Sequence, residues 1–143
     1  MIEKIVHKKK LFALIVRAKF RKKSGINFFT ENNAIQQFGY MKHKKNYSIM
    51  PHLHNKRETK ILTTSEVILI FKGILRVDFY DDKQKYLFSK KVYANDIIML
   101  ANGGHGFKVL KDIEMIEVKQ GPYNLIKDKK KFYKIDEKKI KIK

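Results

Sequence analysis

His52 and His54 stand one residue apart in the stretch PHLH. On a β-strand successive side chains alternate faces, so residues two apart share one. Two such imidazoles lie about 6.5–7 Å apart along the strand, a spacing from which both can reach one metal ion. His-x-His also arises by chance on polar strands, so the residues downstream decide its weight. An apolar run opens with Glu66 in EVILIFKG, and His105 sits in a glycine cluster, GGHGF. His52, His54, Glu66 and His105 together make a three-histidine, one-carboxylate ligand set. Such a set suits Fe, Mn, Ni, Zn or Cu, whereas Mg and Ca prefer oxygen ligands throughout.

The elements that must hold these side chains read as short strands. Leu11–Arg17 is apolar on both faces, followed by strand-like segments at 26–29, 34–41, 47–54, 60–63 and 66–71. Gly73 marks a tight turn into residues 74–80, where Leu75, Val77 and Phe79 alternate with Arg76, Asp78 and Tyr80. That period of two marks a half-buried strand. Asp81–Asp82 turns the chain into 86–92, and 97–100, 106–110 and 113–119 complete the set. No segment keeps a 3.6-residue apolar rhythm with caps, so little helix is expected. About ten strands with short turns in 143 residues imply a closed or double-sheet β architecture, a jelly roll or small barrel. Within it His52 and His54 end one strand, Glu66 begins another, and His105 follows two glycines that permit close approach. Inward side chains from different strands meet at the mouth of a small barrel. His7 and His43 lie among lysines and read as solvated, and the phenylalanines read as core. Glu117 and Lys119 share a face of the last strand, either lining a pocket or facing solvent.

The order of these residues resembles the two cupin motifs. His-x-His is followed by Glu66, with Gly73 seven positions on, and then by NDIIMLANGGHGF, residues 95–107. The resemblance spans roughly residues 47–119 and implies a cupin-type double-stranded β-helix. It departs in three places. The gap from His54 to Glu66 is long, which makes Glu58 a rival ligand at the ordinary distance. Asn95 stands where a glycine usually precedes the aspartate, and the proline that often precedes the second motif's glycine is missing. We favour Glu66, because Glu58 lies in the polar run NKRETK. FFTENNAIQQFGYM, PHLHNKRE, GGHGF and IEVKQGPY further resemble an uncharacterised bacterial group of small cupins associated with surface-polysaccharide gene sets. That likeness implies a small oxygenated, sugar-derived substrate. Three classes follow: a metal-dependent enzyme, a metal-free sugar-nucleotide isomerase or epimerase relative with a histidine base, or a non-enzymatic ligand- or anion-binding module.

Composition bounds the remainder. The length and 43% apolar content support one domain, taken as residues 1–126, followed by a Lys-rich tail at 127–143 expected to be mobile, with 135–142 as an edge strand. The absence of cysteine excludes a thiol nucleophile, disulfides and thiolate metal ligation. The N-terminal LFALIV is too short for a signal peptide's apolar region, and no run approaches a membrane span, so a cytoplasmic protein is expected. The net charge of +19 sits mainly at the ends, since residues 60–125 carry 10 basic and 8 acidic side chains. Of 33 basic residues 29 are lysine, where nucleic-acid readers lean on arginine. The charge therefore reads as a solvated surface that steers small anionic ligands such as sugar nucleotides, not as a nucleic-acid face. Finally, an apolar strand such as Leu11–Arg17 at a barrel edge must be covered. A homodimer with this strand in the interface is the expectation.

Overall fold

The computed structural model describes residues 1–124 and 128–143. It contains two compact units, residues 1–20 with 64–143, and residues 21–63. The boundary expected at 126/127 lies outside the described residues.

The larger unit is one six-stranded antiparallel sheet. Its strands are β1 (Ile2–His7), β2 (Lys10–Val16), β5 (Glu66–Tyr80), β6 (Tyr86–Tyr93), β7 (Ile97–Leu100) and β8 (Gly104–Lys119). Their order is β1-β2-β7-β5-β6, with β8 on the other side of β5. The smaller unit contains the hairpin of β3 (Gly25–Phe28) and β4 (Gly39–Lys42). One 3₁₀ turn, Glu137–Lys139, is the only helical element among the described residues. The chain is all-β, as its short alternating runs predict.

The sheet is strongly curled, and the pairing register shows why. Glu66 and Phe79 lie thirteen residues apart on β5, about 43 Å along a straight strand. His105 is the register partner of Phe79, yet its Nε2 lies 3.0 Å from Glu66 Oε2. The β5–β8 ribbon must therefore double back. Its register shifts fall between Ile70 and Leu75, where Gly73 has φ +93°. A Cβ on Gly73 would stand 2.1 Å from the carbonyl oxygen of Asp112. Only glycine permits that approach and that φ together. The segments expected as separate strands on either side of Gly73 are thus two arms of one bent strand, and 106–110 and 113–119 are likewise arms of β8.

Both arms of β5 feed one core. Ile68 and Ile70 from the first arm and Leu75, Val77 and Phe79 from the second pack with Phe12 and Ile98. Arg76 and Asp78, expected on a solvated face, are also buried. The C-terminal tail covers them: Arg76 donates to Asp78 at 2.8 and 3.1 Å and to Glu137 at 2.6 and 3.0 Å. Phe132 stacks edge-on against Tyr80, and the Ile135 amide donates to the Tyr80 hydroxyl at 3.0 Å. The tail is docked, because apolar residues among its lysines and the Glu137 carboxylate find partners on the sheet. The edge strand expected at 135–142 reduces to a single parallel bridge between Ile142 and Ser89.

β2 is not an edge. It pairs with β1 on one side and β7 on the other, so the argument for a dimer through this strand loses its basis. Arg17, just beyond it, donates to Glu3 at 2.6 Å and to Asp96 at 2.7 Å. Asp96 also accepts from the amides of Ala18 and Tyr93, which locks the turn into β7. Asn95 in that turn has φ +65°. Asparagine is among the few side chains that enter this region readily, so the turn does not require glycine.

Gly73→Ala should lower stability to chemical denaturation by about 2–4 kcal/mol, from positive φ and the Asp112 clash together. Asn95→Gly should stay within about 1 kcal/mol of the parent. Equal stability for Gly73→Ala would refute the curl argument.

Acid should act through Glu3, whose carboxyl is held below its ordinary range chiefly by the Arg17 hydrogen bond. A depressed carboxyl contributes stability above its unfolded pKa, about 4.3, and loses it as pH falls through the folded value. Denaturation midpoints should therefore drop below about pH 4, and Glu3→Gln should flatten that drop; an unchanged acid slope counts against it.

Candidate functional site

Glu66 opens β5 and is almost wholly buried. Its position is set from behind by Gln120, whose side-chain oxygen accepts from the Ser65 amide at 2.7 Å. In register it sits between Leu100 of β7 and Lys119 of β8. A carboxylate in such a place needs partners, since an unpaired buried charge is costly. His105 supplies one at 3.0 Å from Oε2, and Lys129 supplies another at 3.4 Å from Oε1. The contact of His105, helped by Lys129, holds the Glu66 carboxyl down at about 2, while burial pulls it upward. Oε2 nevertheless lacks a donor in hydrogen-bonding alignment: His105 meets it in distance but not in direction. The contact is thus a close approach that leaves one buried oxygen open.

The glycines before His105 serve packing. A Cβ on Gly103, at φ +73°, would overlap the Phe12 ring, its nearest atom 2.3 Å away. Close approach is needed there, but by a core phenylalanine and not by a ligand. His105 itself sits beside the Phe107 ring, with centroids 5.2 Å apart.

Around this pair lies a second set of charges. Lys119 is 3.9 Å from Glu117 and 3.5 Å from Asp128, and its ammonium stands 4.7 Å from the centre of the Tyr123 ring. The shared face of Glu117 and Lys119 is therefore occupied by charge partners. Lys129 is additionally drawn toward Glu117 and Tyr123, and its ammonium is held above its ordinary range by Glu66 against the pull of burial. Sequence reasoning missed Lys129 and Asp128, since nothing in the run KDKKK separates them from surface lysines and their neighbours.

His52 and His54 belong to the unit of residues 21–63. The strand expected at 47–54 is irregular and exposed, as is 60–63, because neither has a pairing strand in its unit. The two rings still meet, 5.2 Å apart and edge-on, with His52 Nδ1 2.9 Å from the Met50 carbonyl. Glu58, the rival carboxylate, is exposed in the same unit. Among the described residues no group of three or more histidine, aspartate or glutamate side chains is gathered as a metal site. The structure thus joins Glu66 with His105, and His52 with His54, as two pairs. His7 and His43, read as solvated, are instead packed: His7 lies edge-on to Phe12, and His43 stacks on Tyr47 at 4.1 Å.

No protein-family model, no curated protein and no solved structure matches the chain. No helix among the described residues is long and apolar enough to cross a membrane.

If the His105 approach is what keeps Glu66 ionised, His105→Ala should move the Glu66 titration upward, toward the ordinary value of about 4.3. Carbon-13 NMR of the side-chain carboxyl follows this directly, and an unmoved midpoint would show that His105 is not the cause.

Proposed function

We propose that the chain is a small cupin-type protein that holds a divalent transition metal and binds or converts a small oxygenated, sugar-derived substrate. The observation that carries this reading is the buried Glu66 carboxylate, with one oxygen open and the His105 imidazole beside it. A carboxylate and an imidazole 3.0 Å apart are metal ligands of the right chemistry. His52 and His54 are the further ligands that the sequence reading supplies, with rings already adjacent. Fe, Mn, Ni, Zn or Cu fits this donor set. Once bound, such an ion would act as a Lewis acid toward a carbonyl or hydroxyl oxygen. The protein's part is to keep Glu66 ionised and to hold His105 against it.

A second reading has an observation of its own. Lys129 neutralises Glu66 without any ion, leaving a carboxylate–imidazole pair of the kind used for proton transfer. In that case the chain is a metal-free isomerase or epimerase relative with His105 as base and Glu66 as its orienting partner. Cytoplasmic placement is part of either proposal.

Elemental analysis of untagged protein should find about one transition-metal ion per chain. Calorimetric titration should then show that Glu66→Gln, His105→Ala, His52→Ala and His54→Ala each weaken binding at least about tenfold, with Glu58→Gln unchanged. Affinity should fall with pH, because ligands must shed protons to bind. Wild-type affinity in His105→Ala would overturn the metal site, and loss in Glu58→Gln without loss in Glu66→Gln would reassign its carboxylate. Sugar-nucleotide binding that survives exhaustive chelation but not His105→Ala would favour the second reading.

A further inference from the structure

In the hairpin of β3 and β4, Ile26 is the register partner of Met41 and Phe28 of Gly39. Directly opposite residues, and those two apart on one strand, share a face. Ile26, Phe28 and Met41 therefore form one side of the hairpin, and they are 51%, 54% and 56% exposed. The other side, with Asn27 and Tyr40, is half-buried. This reverses the ordinary arrangement, in which an antiparallel ribbon turns its apolar side inward and its polar side to water. Gly39 helps to build the exposed face. A Cβ there would stand 2.8 Å from Phe28 Cδ1, so the ring lies across the backbone of the partner strand.

Cations gather at one end of the same hairpin. Gly25 is the partner of Lys42, so Lys22 and Lys23 enter the ladder where Lys44 and Lys45 leave it. All four are exposed. The unit of residues 21–63 carries nine basic side chains against two acidic ones, Glu31 and Glu58. Glu31 lies in the loop that closes the opposite end of the ladder.

We propose that this face docks on an anionic lipid membrane, lying on the surface without crossing it. The three apolar side chains enter the boundary between headgroups and acyl chains, and the lysines at the open end meet the lipid phosphates and carboxylates. The conjunction of an apolar face with a cationic end selects this occupant. A second copy of the chain would bring the same cations against themselves. A nucleic acid would engage the lysines but not Ile26 and Met41, and it calls for arginine forks and stacking rings. A lipid surface uses both halves of the feature. The proposal does not rest on the metal reading.

Co-sedimentation should recover the full chain on phosphatidylcholine vesicles containing about one-third phosphatidylserine, and not on phosphatidylcholine alone. I26S/F28S/M41S and K44E/K45E should each weaken partitioning at least about tenfold. K130E/K131E makes the same change of net charge at exposed positions outside the hairpin unit and should stay within about threefold of wild type. Circular dichroism of each variant should match the wild type; if the apolar variant loses its β spectrum, the charge variants and a fluorescent reporter decide without it. The chain has no tryptophan, so Phe28→Trp supplies a single emitter on the face itself. Its emission should move to the blue on binding and be quenched by lipids brominated in their acyl chains. Absence of wild-type binding to anionic vesicles would overturn the proposal. A reporter neither shifted nor quenched, full binding by a folded I26S/F28S/M41S, or equal losses in K44E/K45E and K130E/K131E would also overturn it, leaving only general attraction of a basic chain. Tighter binding to RNA than to vesicles, sensitive to K44E/K45E but not to the apolar substitutions, would assign the lysines to nucleic acid instead.

Discussion

Where Gly73 passes the carbonyl of Asp112, the two strands of the β5–β8 ribbon come closer than any side chain would allow, and the ribbon folds over that point. The position of nearly everything else in the larger unit follows. Ile68 and Phe79 share one core because the arms that carry them face each other. Glu66 and His105, at far ends of the paired strands, touch for the same reason. A sheet with ordinary twist alone would leave them tens of ångströms apart, since twist rotates neighbouring strands without reversing them. Irregular pairing on both sides of the glycine is how an antiparallel ribbon accommodates such a bend, as bulges do generally.

Charge is sorted by side-chain type in a way that the net figure hides. Only 4 of the 33 basic residues are arginine, and two of them, Arg17 and Arg76, hold carboxylates within the sheet. Guanidinium is the natural choice there: its planar fork satisfies two acceptors at once and it tolerates desolvation better than ammonium. Lysine dominates the outside, where a flexible, strongly hydrated charge costs little. Glu66 is the exception, a buried acid facing an imidazole and an ammonium, and that mismatch with the rest of the sheet is what singles it out.

Local patterns made much of the fold legible. The alternation over Leu75–Phe79, the Asp81–Asp82 turn and the apolar run at Leu11–Val16 each found their strands. The same patterns failed where tertiary partners decide. Tyr47–His54 has the composition of a strand, but a strand exists only with a neighbour to complete its hydrogen bonds, and its unit provides none. Arg76 and Asp78 read as surface because nothing in a lysine-rich tail announces that Glu137 will reach back to them. Of the candidate site, the pairing of Glu66 with His105 was legible from residue type and strand position. Lys129 was not, being one lysine in a run of lysines. How the His52–His54 pair relates to Glu66 and His105 is a matter of long-range arrangement that no local spacing encodes.

The docked tail carries a consequence for how the chain matures. Lys141 and Lys143 exchange backbone hydrogen bonds with Ser89, and Glu137 neutralises an arginine that β5 buries. The hairpin of β5 and β6 can form earlier from local contacts, but its outer face then carries Arg76 and Asp78 in water. Desolvation of that face waits for the tail to dock, so a chain whose residues 137–143 are held away from the sheet keeps that face in an open, hydrated form.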